Sequence, residues 1–73
     1  MNNKDLNNLR EDLIGELGAI NQYQEHIDES ADEEVKKTLS HIRDDEKEHF
    51  AELTKLIRKL DATQEEKFQK EGL

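Results

Sequence analysis

The sequence predicts an all-α fold: an antiparallel two-helix hairpin plus a short C-terminal helix, dimerising into a four-helix bundle. Three observations carry that expectation. Apolar residues recur at alternating spacings of three and four along two long stretches, the mark of a helical seam. The chain has no proline and no linker-like run, so nothing divides residues 1–73 into more than one domain. Finally, 73 residues with 41% charged and 32% apolar side chains are too few and too polar to close a core alone. With no cysteine, disulfides and thiolate metal sites are excluded as staples. A metal held by oxygen and nitrogen donors, a partner chain, or both are left.

The first helix is expected over about 5–29. Its inward positions are Leu6, Leu9, Leu13, Glu16, Ile20, Tyr23 and Ile27, spaced three and four without a break. The second is expected over about 32–60, with Val35, Leu39, Ile42, Glu46, His49, Leu53, Leu56 and Leu60 on its seam. Ile14, Leu17 and Ile57 are expected to widen the two stripes. Between them "DESADEE" offers Ser30 or Asp32 as N-cap, with Glu33 at capping-box spacing from Ser30. So short a connection makes the helices antiparallel neighbours. A third helix follows over about 64–71, with Thr63 and Glu66 at capping-box spacing, Phe68 as its anchor and Gly72 as its stop.

A formal charge of −8 argues against nucleic acid, whose phosphates would be repelled. No apolar run is long enough to span a bilayer, and "MNNKDLNNLR" has no signal-like apolar region. The expectation is a soluble, cytoplasmic protein with no membrane partner.

Three seam positions break the apolar rule: Glu16, Glu46 and His49. A buried carboxylate must be neutralised, paired or bound to a cation. Glu16 and Glu46 lie equally far before and after Ala31, at the centre of the turn. At about 1.5 Å per residue both stand about 22 Å from it, at one height, and His49 is one turn beyond Glu46 on the same face. Two carboxylates and an imidazole in one layer are half of a known set. Di-metal carboxylate bundles take a Glu from each of two helices and a Glu-x-x-His from each of two more. Two copies of this chain would complete that set and bury both seams. The alternatives are a non-enzymatic helical oligomerisation module whose polar layer fixes register, and a metal-buffering protein without turnover.

Tyr23 lies one heptad from Glu16, where its hydroxyl can support the site or simply end a core aromatic at the surface. Gly15 and Gly18, each costing about 1 kcal/mol in a helix, form with Ala19 a small-residue patch that admits another helix, water or ions. His26 and His41 lie off the seams and read as solvated, and Glu48 and Glu52 belong to an exposed acidic face. No phosphate loop or nucleophile elbow is present.

The segments "ELGAINQY", "ESADEEVKKTL" and above all "HIRDDEKEHF" resemble the encapsulated ferritin family, small ferritin-like proteins housed in encapsulin nanocompartments. The resemblance covers roughly residues 11–70. It implies a ferritin-like bundle in which Glu16, Glu46 and His49 are iron ligands of a ferroxidase, with two irons shared between two chains and Tyr23 nearby. Manganese or zinc suits the same atoms. The resemblance also implies dimers assembled into a ring, commonly a decamer, inside an encapsulin shell where iron is mineralised. Gln22 stands where relatives can have tryptophan, and Gly15 and Gly18 where some have acids thought to guide iron inward. Relatives also carry a C-terminal extension that docks on the shell, beyond the "KEGL" that ends this sequence.

Overall fold

The structure, a computed structural model, describes residues 3–73. It holds three helices in chain order: α1 (Asn3–Glu29), α2 (Glu33–Leu60) and α3 (Ala62–Lys70). Among the described residues there is no strand, so the fold is all-α, as the spacing predicts. α1 and α2 pack along each other as a hairpin, and α3 touches α2.

Each junction has a local cause. α1 ends where Ser30 N–H donates to the carbonyls of His26 and Ile27. Of the two candidate caps, Asp32 starts α2: its backbone is extended and its side chain accepts from the N–H groups of Glu34 and Val35. The Ser30 hydroxyl instead accepts from Asp32 N–H at 3.1 Å, which braces the turn and leaves the Ser30–Glu33 capping box unmade. Glu33 and Glu34 then occupy the first turn, where the helix dipole favours them.

α3 begins at Ala62, two residues before the expected start. The reason is Asp61, which ends α2 and caps α3 at once. Its N–H donates to the Ile57 carbonyl, and its carboxylate accepts from Gln64 N–H. Thr63 is thereby drawn inside the helix. Gly72, at φ +78°, stops α3, with Gly72 N–H on the Gln69 carbonyl and Leu73 N–H on that of Phe68. That pair of bonds is a Schellman end, which needs the left-handed conformation glycine adopts freely. Phe68 anchors α3 beneath the Arg58 guanidinium, 4.5 Å from the ring centre, while Arg58 Nε donates to Glu65 at 2.7 Å.

Two further polar links tie the hairpin near its ends. Arg43 donates to Gln24 at 2.8 Å toward the turn, and Arg10 pairs with Asp61 at 2.7 Å at the open end. The apolar interior is thin. Among the described residues only Leu6 (6% exposed) and Ile57 (5%) are buried apolar side chains. Ile57 thus widens its stripe as expected, but Ile14 and Leu17 do not join the interior and remain exposed.

The shape follows from that. The chain measures 47 × 28 × 14 Å with a radius of gyration of 15.4 Å, against about 11 Å for a compact chain of this length. It exposes 5610 Å², where a compact monomer of this size exposes about 4,700 Å². The excess is close to the ~800 Å² that one partner contributes to a standard interface. The hairpin is one layer thick.

Candidate metal centre

Glu16 projects from α1, and Glu46 and His49 from successive turns of α2. The hairpin brings the three together, each with a ligand atom within 4.8 Å of the others, and no other such group occurs among the described residues. His49 Nδ1 lies 3.6 Å from Glu16 Oε2 and 3.4 Å from Glu46 Oε2. The carboxylates are the inner members, with side chains 22% and 20% exposed, while His49 is 51% exposed at the rim.

Glu16 Oε2 is buried and has no hydrogen-bond partner. A charged oxygen in that condition is costly, and a cation is one of the few things that removes the cost. The protonation balance agrees. Proton sharing with Glu46, then burial, pushes the Glu16 carboxyl above its ordinary value, against a smaller pull from His49. Glu46 is held below its ordinary value by that same sharing and by His49, with burial opposing. Burial would lower His49, but its hydrogen bond to Glu46 and the charges of Glu16, Glu46 and Glu52 outweigh it and raise the imidazole. Both upward shifts favour the protonated forms of Glu16 and His49 relative to their ordinary balance, which is how close carboxylates manage without a counter-charge.

The three side chains sit in an open groove also lined by Glu11, Asp12, Gly15, Ala19, Glu52 and Leu53. Glu11, Asp12 and Glu52 are additions that reading along the seam misses. Helical spacing would have found two of them: Asp12 is four residues before Glu16, and Glu52 three after His49. A Cβ added at Gly15 or Gly18 would meet nothing within 4 Å, so neither glycine is required by packing inside the chain. Tyr23 is half-buried on the α1 seam. His26 and His41 are exposed, and His41 pairs only with Asp45, at 3.5 Å. No helix of the described chain is long and apolar enough to cross a membrane.

A Glu facing a Glu-x-x-His across a helical hairpin resembles one half of the ligand set of di-metal carboxylate bundles. The EncFtn-like family matches residues 1–71. The chain belongs to that family. It is 43% identical over 56 residues to the encapsulin nanocompartment cargo protein EncC of Myxococcus xanthus, covering 77% of this chain and 43% of that protein. With EncB of the same organism, also named an encapsulin nanocompartment cargo protein, it shares 35% identity over 66 residues, 90% of this chain and 42% of the relative. With the encapsulated ferritin-like protein of Rhodospirillum rubrum it shares 41% over 50 residues, 68% of this chain and 36% of the relative. The chain thus spans less than half the length of these curated relatives. No solved structure matches.

Proposed function

We propose that this EncFtn-like chain is a ferroxidase subunit: two copies together bind two Fe²⁺ ions as substrate and oxidise them to Fe³⁺. The observation that carries this reading is the buried Glu16 Oε2, which has no hydrogen bond, beside Glu46 and His49 in an open groove. The donor chemistry fits iron. Carboxylates favour the ferric state and imidazole holds the ferrous one, while manganese and zinc take the same atoms. Three donors per chain leave two cations under-coordinated, and a second copy doubles the set to the Glu plus Glu-x-x-His pairs of a di-metal bundle.

In that role Glu16 and Glu46 supply negative charge between the ions, and His49 orients one donor nitrogen from the groove rim. Binding displaces the protons held on Glu16 and His49. Each Fe²⁺ gives up one electron; the pair reduces O₂, with two protons, to hydrogen peroxide, or reduces peroxide, with two protons, to two waters. The names of the relatives support a further proposal, that the chain is cargo of an encapsulin shell; the resemblance to the encapsulated ferritins extends it to a cytoplasmic compartment in which dimers form a ring, commonly a decamer, and the ferric product mineralises.

The test is anaerobic titration of chelated protein with Fe²⁺ read by native mass spectrometry, followed by ferric absorbance on adding O₂. Two irons per two chains and an oxidation rate lost in His49→Ala are expected. The loss should be at least the ~10–100-fold that removing even an outer partner of a metal ligand costs. Unchanged oxidation in His49→Ala would overturn the reading.

The contact of His49 with both carboxylates favours one other reading, a polar layer that fixes register without turnover. Such a module takes up no stoichiometric iron. It also tolerates Glu16, Glu46 and His49 all becoming leucine.

A further inference from the structure

We infer that Glu52 is a positioning residue for the metal centre: its carboxylate accepts the N–H on the outer ring nitrogen of His49 and so fixes which nitrogen faces the cation. This rests on the metal-binding reading above and adds to it a residue outside the three ligands.

The argument begins with the imidazole. His49 Nδ1 is the nitrogen turned inward, 3.4 Å from Glu46 Oε2 and 3.6 Å from Glu16 Oε2. A cation bound by all three side chains therefore takes Nδ1, which must then carry no proton. The one proton of a neutral imidazole is left on Nε2. With Nδ1 facing the layer, Nε2 points away from it, at the groove rim where the side chain is 51% exposed. An N–H given only to bulk water leaves the ring free to turn over and present the wrong nitrogen. Histidines that bind metals are almost always held against this by donating the second N–H to a fixed acceptor, a carboxylate above all.

Three carboxylates besides the ligands line the groove: Glu11, Asp12 and Glu52. The first two belong to α1. Glu52 belongs to α2 and stands one turn after His49. Helical side chains slant toward the N-terminus, so a residue three positions on lies over the turn that His49 occupies. The chain thus reads Glu46-x-x-His49-x-x-Glu52, with a carboxylate one turn to either side of the ring. Glu46 takes the Nδ1 side, and the Nε2 side is left to Glu52. Of the three groove acids, Glu52 is also the one close enough for its charge to act on the imidazole. Among the described residues, no hydrogen bond or ion pair commits the Glu52 carboxylate elsewhere. Glu48, beside His49 in the chain and equally acidic, is not part of the groove wall. The two acids that composition groups together are separated by the fold.

Zn²⁺ tests this without turnover, because it takes the same donor atoms and is diamagnetic. Protein carrying ¹⁵N-labelled histidine is loaded with Zn²⁺, and the His49 nitrogens and their proton are read by NMR alongside the Zn²⁺ Kd. The wild type should show zinc on Nδ1 and a slowly exchanging proton on Nε2. In Glu52→Ala that proton should exchange too fast to be seen, and affinity should fall ~10–100-fold, the usual cost of losing such a partner. Glu52→Gln keeps an acceptor oxygen and should restore the signal and most of the affinity. Glu48→Ala removes the same charge outside the groove and should change neither. A Glu52→Ala protein that keeps both signal and affinity overturns the role, as does zinc on Nε2 in the wild type or an equal loss in Glu48→Ala. If His49→Ala weakens zinc binding while Glu52→Ala does not, only this role falls. If the wild type takes up no zinc, or His49→Ala binds it as tightly, the metal centre falls with it.

Discussion

At the scale of the residue, the seam is where chemistry was legible. Glu16, Glu46 and His49 could be found in the sequence because they interrupt apolar seams, Glu16 between Leu13 and Ile20 and the Glu46–His49 pair between Ile42 and Leu53, and a charged group there needs a reason. Their protonation makes opposite predictions for the metal-free and metal-loaded protein. His49 is raised above its ordinary 6.5, so what it contributes to folding is complete below that value and lost as pH climbs through the raised one. Glu16, raised from 4.5, acts with the same sign; Glu46, lowered, contributes above 4.5 and loses only in acid. With chelator present, the melting temperature should therefore fall as pH rises from about 6.5 into the alkaline range. Mn²⁺-loaded protein should move the other way, because the cation competes with those protons. Calorimetry across that range decides it, and parallel trends with and without Mn²⁺ would sink the assignment. What the seam hid is the groove wall. Helical spacing marks Asp12 and Glu52 but not Glu11, and only the packing of α1 on α2 singles out all three among so many acids.

At the scale of the element, local rules competed. Ser30 and Asp32 are both good caps, and two residues of reach decide between them: Asp32 accepts from two N–H groups, while the Ser30 hydroxyl serves the turn. Asp32→Ala should cost about 1 kcal/mol, the usual worth of such a cap, and lower the melting temperature without altering metal stoichiometry. An unchanged melting curve would return the start of α2 to Ser30. At the α2–α3 junction the capping-box spacing of Thr63 and Glu66 misled. Asp61 wins because one carboxylate serves both Gln64 N–H and Arg10, 51 positions away in the chain, and the second of those partners is invisible to any local pattern. Its value is held low first by Gln64 N–H and then by Arg10, against burial, so its stabilisation persists until pH falls through that lowered value.

At the scale of the whole molecule, composition gave the decisive hint, and periodicity could not finish it. A narrow stripe on a short charged chain implies a layer that needs covering, and the hairpin is such a layer. Which flank each residue takes was not legible. Ile14 and Leu17 lie close to the α1 stripe by angle, yet a single partner helix covers only one side of it, so they stay in solvent. The hairpin's contacts join helices adjacent in the chain across a connection of three residues, Ser30 to Asp32. That feature sets a clock. Short loops close in about 10–100 ns and helices form within about 1 μs, whereas subunit association waits on collision and slows with dilution. Refolding should then show a rapid helical phase indifferent to protein concentration, followed by a bimolecular phase that slows tenfold on tenfold dilution. A helical signal that itself slows on dilution would mean the hairpin has no existence outside the pair. If the phases separate, each newly made chain carries a finished half-site through its solitary interval, able to hold a cation loosely before it meets the copy that completes the grip.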